Sequence, residues 1–129
     1  MVCSEIHSDA ARRLLGQDHE YFAPDLLFAE TASAISKKVL QGDLPRRVGQ
    51  RLVWDLEAVA VETVPCRVLA NDAYALASAI GRSVYDAMYL ALAVRLDTRM
   101  ITADERLAGA LARFPSAVRH IQTVQDLQG

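Results

Sequence analysis

Cysteine, charge of one sign and long apolar runs are all scarce in this sequence. The two cysteines, Cys3 and Cys66, stand far apart and outside any Cys-x-x-Cys spacing. That argues against a disulfide scaffold or a zinc-thiolate site and suits a reducing cytoplasm. No run of about 18 apolar residues occurs, so no transmembrane helix is expected. Met1–Ile6 has no basic stretch followed by an apolar one, so no signal peptide is expected. The formal net charge is only -2, so any affinity for nucleic acid has to come from a local patch rather than from the whole molecule. Repeats, low-complexity tracts and Gly/Ser-rich linkers are absent as well.

What remains is an ordinary globular composition. Apolar residues make up 52% and charged residues 23% of 129 residues, enough for a single domain over 1–129 with a real hydrophobic core. Turn signals fall at Gly42-Asp43, Pro65, Gly81 and Pro115. Between them, helical periodicity predicts helices over Ser8–Leu15, Pro24–Leu40, Leu44–Ala58, Arg67–Ile80, Val84–Leu96 and Asp104–Ala112. The Val84–Leu96 segment is the most apolar, with no charge from Ala87 to Val94. Short strands are expected at Glu20–Ala23, Val59–Val64, Arg99–Thr102 and Val118–Ile121. Helices alternating with short apolar strands predict an α/β sandwich with a mostly parallel sheet.

Three acids draw chemical interest. Glu30 falls with Leu27 and Ala34 on one stripe of its helix, amid Leu26, Ala29, Ile35 and Val39. A carboxylate buried there without a partner costs several kcal/mol, so it calls for a cation, a metal or a raised pKa. The plainer reading puts Glu30 at the edge of the stripe, reaching solvent or pairing with an arginine. Asp86 opens the charge-free helix in Ser83-Val84-Tyr85-Asp86, a spacing that also resembles a capping box. Asp104 follows the strand Arg99–Thr102, at the strand end where open α/β sheets place ligands, and it too has a capping alternative. Taken together, the three can face one edge of a parallel sheet. Clustered carboxylates repel, and a hard divalent cation removes that penalty. His7, His19 and His120 are scattered and offer no competing cluster.

The segments Ala23–Ile35, Ser83–Ala93 and Ile101–Leu107 resemble, in order and spacing, three motifs of the PIN-domain family. The closest likeness is to the VapC-type toxins of bacterial toxin–antitoxin pairs. The resemblance runs from about His7 to the C-terminus. It implies a helix-rich, three-layer α/β/α sandwich and a magnesium- or manganese-dependent endoribonuclease. Such a protein is usually a homodimer, held inactive by a VapB-type antitoxin. By the same resemblance Glu30, Asp86 and Asp104 are metal-site and catalytic acids, with Thr102 beside them. Ser33 stands where many relatives carry an asparagine.

The family departs from this chain at the N-terminus. Its members usually begin with an apolar strand ending in Asp, in a pattern like Val-Val-Asp-Ala-Ser, which lies at the centre of the sheet. Met1-Val2-Cys3-Ser4-Glu5 looks instead like the region after that strand. The central strand and the first catalytic Asp are therefore expected to be missing, through a shortened start or through gene decay. In the second case the protein is a catalytically inactive module that dimerises or binds antitoxin. Candidate RNA contacts are Lys37, Lys38, Arg46, Arg47 and Arg51 on consecutive helices, with Arg82 ahead of Asp86. The alternative is a solvated helix face. A less favoured reading is a phosphatase-like site built on Asp104.

Overall fold

A computed structural model describes residues 1–3, 20–102, 107–109, 112–114 and 120–123. Five short strands make one sheet: β1 (Val2–Cys3), β2 (Phe22–Pro24), β3 (Glu62–Val64), β4 (Met100–Thr102) and β5 (Ile121–Thr123). Their order is β3-β2-β1-β4-β5, and every neighbouring pair is parallel. The α/β expectation therefore holds. The chain builds outward from β1 to one side and then crosses to the other, so the strand order reverses beside β1. In open α/β sheets that reversal marks the ligand crevice at the carboxyl ends of the strands.

The empty central position expected from the sequence is corrected. Val2–Cys3 occupies it, with Val2 opposite Phe22 on one side and Met100 on the other. Two residues suffice because both neighbours reach them. The Val2 N–H donates to the Arg99 carbonyl at 2.9 Å, and the Phe22 N–H donates to the Met1 carbonyl at 2.8 Å. Val2 itself is fully buried, so a branched apolar side chain fills the middle of the core and satisfies the ladder at once.

Four described helices surround the sheet: α1 (Leu26–Leu40), α2 (Arg46–Asp55), α3 (Cys66–Ile80) and α4 (Val84–Arg95). A 3-10 turn at Leu56–Ala58 extends α2, so the expected Leu44–Ala58 helix is present but tightens at its end. Pro24, placed in a helix by its sequence context, instead closes β2 opposite Val64. Proline cannot donate to the ladder, and the next donor, Asp25 N–H, takes the Val64 carbonyl at 2.9 Å. The last strand lies further along than expected, at Ile121–Thr123. The expected helix Ser8–Leu15 lies outside the described residues; of the Asp104–Ala112 helix, 107–109 are described as helical and Ala112 as a turn.

The charge-free stretch explains itself on packing. Every residue from Ala87 to Ala93 is buried, so the middle of α4 is enclosed on all sides, as an all-apolar helical segment must be. Its alanines let α3 pack close through Leu69, Ala73 and Ala77. Gly81, at φ +70, ends α3 in the left-handed conformation that glycine adopts most cheaply.

Candidate metal and nucleic-acid site

Glu30 lies in the second turn of α1, directly after β2. The buried stripe of that helix is Leu27, Thr31 and Ile35, and Glu30 sits at its edge with an exposed surface. The edge placement matches the plainer sequence reading, but the partner is neither solvent alone nor an arginine. The Tyr89 hydroxyl, from α4, donates a hydrogen bond to Glu30 Oε1. Tyr89 is only 4% exposed, so its ring belongs to the core while its oxygen reaches the carboxylate. The Glu30 carboxyl is pushed above the ordinary glutamate range by partial burial first. The Tyr89 hydrogen bond opposes that rise, and repulsion from Asp86 adds to it.

Asp86 stands one helical turn before Tyr89, so both side chains lie on the same side of α4. The capping role expected for this position goes to Ser83, whose hydroxyl accepts the Asp86 N–H at 3.1 Å. The Asp86 carboxylate is therefore free of the cap and pairs with Arg82, Nη2 to Oδ2 at 3.1 Å, in a half-buried ion pair. The Arg82 Nε is buried with no hydrogen-bond partner among the described residues. Two polar pairs thus stand one turn apart along α4: Arg82 with Asp86, and Tyr89 with Glu30 of α1.

A further acid braces this corner. Asp25 precedes α1 but makes no cap to its own helix. Its Oδ1 instead accepts the Cys66 N–H, at the start of α3, at 3.0 Å. Hydrogen bonds from Cys66, side chain and backbone, hold the Asp25 carboxyl below its usual value. Burial pushes the Cys66 thiol up, and Asp25 and Glu30 add to the rise. The signal was available in principle, since β2 and β3 each run directly into a helix and neighbouring strands bring those two helix starts together.

Of the other predicted residues, Ser33, Lys37, Lys38, Arg46, Arg47 and Arg51 are all exposed on α1 and α2. Lys37 and Lys38 sit in the last turn of α1, where they complement the helix dipole. Arg46 and Arg47 sit in the first turn of α2, where no acid accompanies them. The dipole disfavours cations there, so helix stability does not account for them. Arg51 pairs with Asp55 at 3.5 Å. The Thr102 backbone ends β4, while its side chain, Asp104, Ser4 and Glu5 lie outside the described residues. No group of three or more His, Cys, Asp or Glu side chains suited to a metal gathers among the described residues. Two of the three predicted acids are brought together, and the third is not described.

With this geometry in view, comparison with known proteins gives the class. Residues 1–110 match the PIN domain family. Over 116 residues, 88% of this chain and 86% of the relative, the sequence is 31% identical to Ribonuclease VapC3 of Pyrobaculum aerophilum. The chain belongs to the PIN-domain family, as a VapC-type member. Among the described residues no helix is long and apolar enough to cross a membrane.

Proposed function

We propose that this protein is a toxin-class endoribonuclease, dependent on magnesium or manganese and acting in the cytoplasm. Its relative's name, Ribonuclease VapC3, supports nuclease activity in general. The observation that carries the finer reading is the Tyr89–Glu30 hydrogen bond, which ties Glu30 on α1 to α4 one helical turn after Asp86. The donor set fits a hard cation: both acids offer only oxygen, and magnesium is commonly held by one or two carboxylates with retained waters. Glu30, Asp86 and Asp104 would hold it, with Thr102 and Ser33 in support. Bound there, the cation would activate water and neutralise charge developing on a phosphodiester.

The protein's own residues do the rest. Tyr89 orients Glu30. Arg82 fixes Asp86 and places a guanidinium beside the acids, where a phosphate oxygen could be received. Arg46 and Arg47, with Lys37 and Lys38, would guide the RNA backbone along α1 and α2. Leu40 and Trp54, 85% and 73% exposed, leave apolar surface on these same helices for a VapB-type antitoxin or a second copy in a homodimer.

The test is magnesium-stimulated cleavage of RNA by the purified protein, which Asp86→Asn and Asp104→Asn should each abolish while circular dichroism stays unchanged. Cleavage that survives both substitutions, or that survives chelation, defeats the proposal. The second reading, an inactive module that still binds antitoxin or dimerises, draws on Ser4 directly following β1 where the family pattern has Asp. It predicts antitoxin binding with no cleavage under any metal.

A further inference from the structure

The hydrogen bond between Tyr89 and Glu30 joins a core residue to a residue at the proposed site, and no packing need explains it. A buried phenylalanine would fill the same ring volume on α4. The hydroxyl adds something different: it donates to one named oxygen, Oε1, of a carboxylate that otherwise keeps an exposed surface. Glutamate has three side-chain torsions, and an exposed one samples many rotamers. A donor fixed to the core removes that freedom on the side facing α4 and leaves Oε2 for another partner. The donor is itself held rigidly, since Tyr89 is 4% exposed and lies within the fully enclosed run Ala87–Ala93. One turn earlier on the same helix, Asp86 is held in the same manner by Arg82. Each of the two described acids thus has its own protein partner fixing it in place.

We infer that Tyr89 is a positioning residue, which sets the Glu30 carboxylate for a divalent cation by binding one of its oxygens and leaving the other free. Ligating carboxylates are commonly hydrogen-bonded by outer groups of this kind, and loss of such a partner typically weakens metal binding about 10- to 100-fold. The inference rests on the reading of Glu30 as a metal ligand, so its test must separate the two.

The experiment is titration of the purified protein with manganese chloride alone, read by electron paramagnetic resonance of free ion. Four forms are compared: the native protein, Tyr89→Phe, Glu30→Gln and the double variant. Positioning predicts that Tyr89→Phe weakens manganese binding about tenfold or more. It also predicts that Tyr89→Phe adds nothing further to the loss once Glu30→Gln is present, because the positioning role runs through that carboxylate. Tyr89→Phe within twofold of native, while Glu30→Gln binds weakly, overturns the positioning role and leaves Glu30 a ligand. Glu30→Gln within twofold of native overturns both readings. Should Tyr89→Phe not fold, the native protein supplies the answer through the tyrosine ring-carbon resonance next to the hydroxyl. That signal should move with half-saturation equal to that of magnesium binding, and its indifference to magnesium overturns the inference.

Discussion

Replacing Gly49 by alanine should destabilise the protein, although the backbone there is ordinary helix and alanine is the better helix former. Two effects oppose each other. Helix propensity favours alanine by about 1 kcal/mol. Sterically, a Cβ on Gly49 would lie 2.6 Å from Val39 Cγ2 and 3.4 Å from Ile35 Cγ2, both on α1. The first contact is far inside van der Waals distance, and a β-branched valine in a helix has one strongly preferred rotamer with which to retreat. Overpacking of this kind costs about 1–3 kcal/mol, so the net loss is about 1 kcal/mol. For a domain of this size that is a fall in Tm of about 3–5 °C. Thermal melts of Gly49→Ala, Val39→Ala and the double variant would show it. Trimming Val39 removes the clashing methyl, so the double variant should be more stable than the sum of the single effects predicts. A Gly49→Ala protein that melts higher than native, or strictly additive effects, refutes the reasoning. The consequence reaches the proposed RNA surface, because α2 carries Arg46 and Arg47. Any weakening of RNA affinity in Gly49→Ala should be independent of metal concentration.

Glu30 has a folded pKa raised above its unfolded value, so the folded state binds more protons between the two. Stability of the metal-free protein should therefore fall as pH rises from the ordinary glutamate range through that raised value, and Glu30→Gln should flatten the slope in urea melts; an unchanged slope rejects it. Arg82→Ala removes the cation 3.1 Å from Asp86 and should lower stability by less than about 1 kcal/mol. It should also weaken manganese binding by calorimetry, because Arg82 fixes Asp86, and weaken RNA binding; tighter manganese binding would mean that Arg82 competes for the site rather than organises it. Gly81→Ala places a side chain at φ +70 with open space around it. The expected loss is about 1 kcal/mol from backbone strain alone, with manganese affinity unchanged, and both are read from one melt and one titration. Arg47→Ala should make RNA binding less salt-dependent, reducing the log–log slope by about 1; an unaltered slope removes Arg47 from the RNA surface.

The helices were the legible part of the fold, because each carries its own period and stop signals. Gly81 ends α3 as read, and the charge-free run in α4 announced its own burial. Strand positions were less legible. Each strand is two or three residues long, too short for alternation to register, and its identity comes from neighbours far away in sequence. Val2–Cys3 is the extreme case: nothing local marks two residues as a strand, and only Phe22, Met100 and their backbones make them one. At the site, the stripe argument found Glu30 and left it open between a buried position and the edge of the stripe, and the structure takes the edge. The partner it demanded was real, and it was a tyrosine nearly sixty residues away.

The capping motifs held in part. Ser83-x-x-Asp86 forms the serine half of its capping box, since the Ser83 hydroxyl accepts the Asp86 N–H. The aspartate carboxylate pairs with Arg82 instead of closing the box. Asp25 reverses the pattern, since it stands at the start of one helix and binds the first N–H of another. The result is a pair of acids close together in sequence whose pKa values are driven in opposite directions. Asp25 is lowered by the donors of Cys66, while Glu30 is raised by partial burial and by Asp86. Asp25 is already satisfied by the protein and acts as a fixed anion that ties the start of α1 to the start of α3. Glu30, carried on the helix so anchored, keeps one oxygen uncommitted to Tyr89 and a repulsive neighbour that a cation would quiet. Asp25 is thus engaged by the Cys66 N–H, and Glu30 keeps the oxygen that the proposed cation would take.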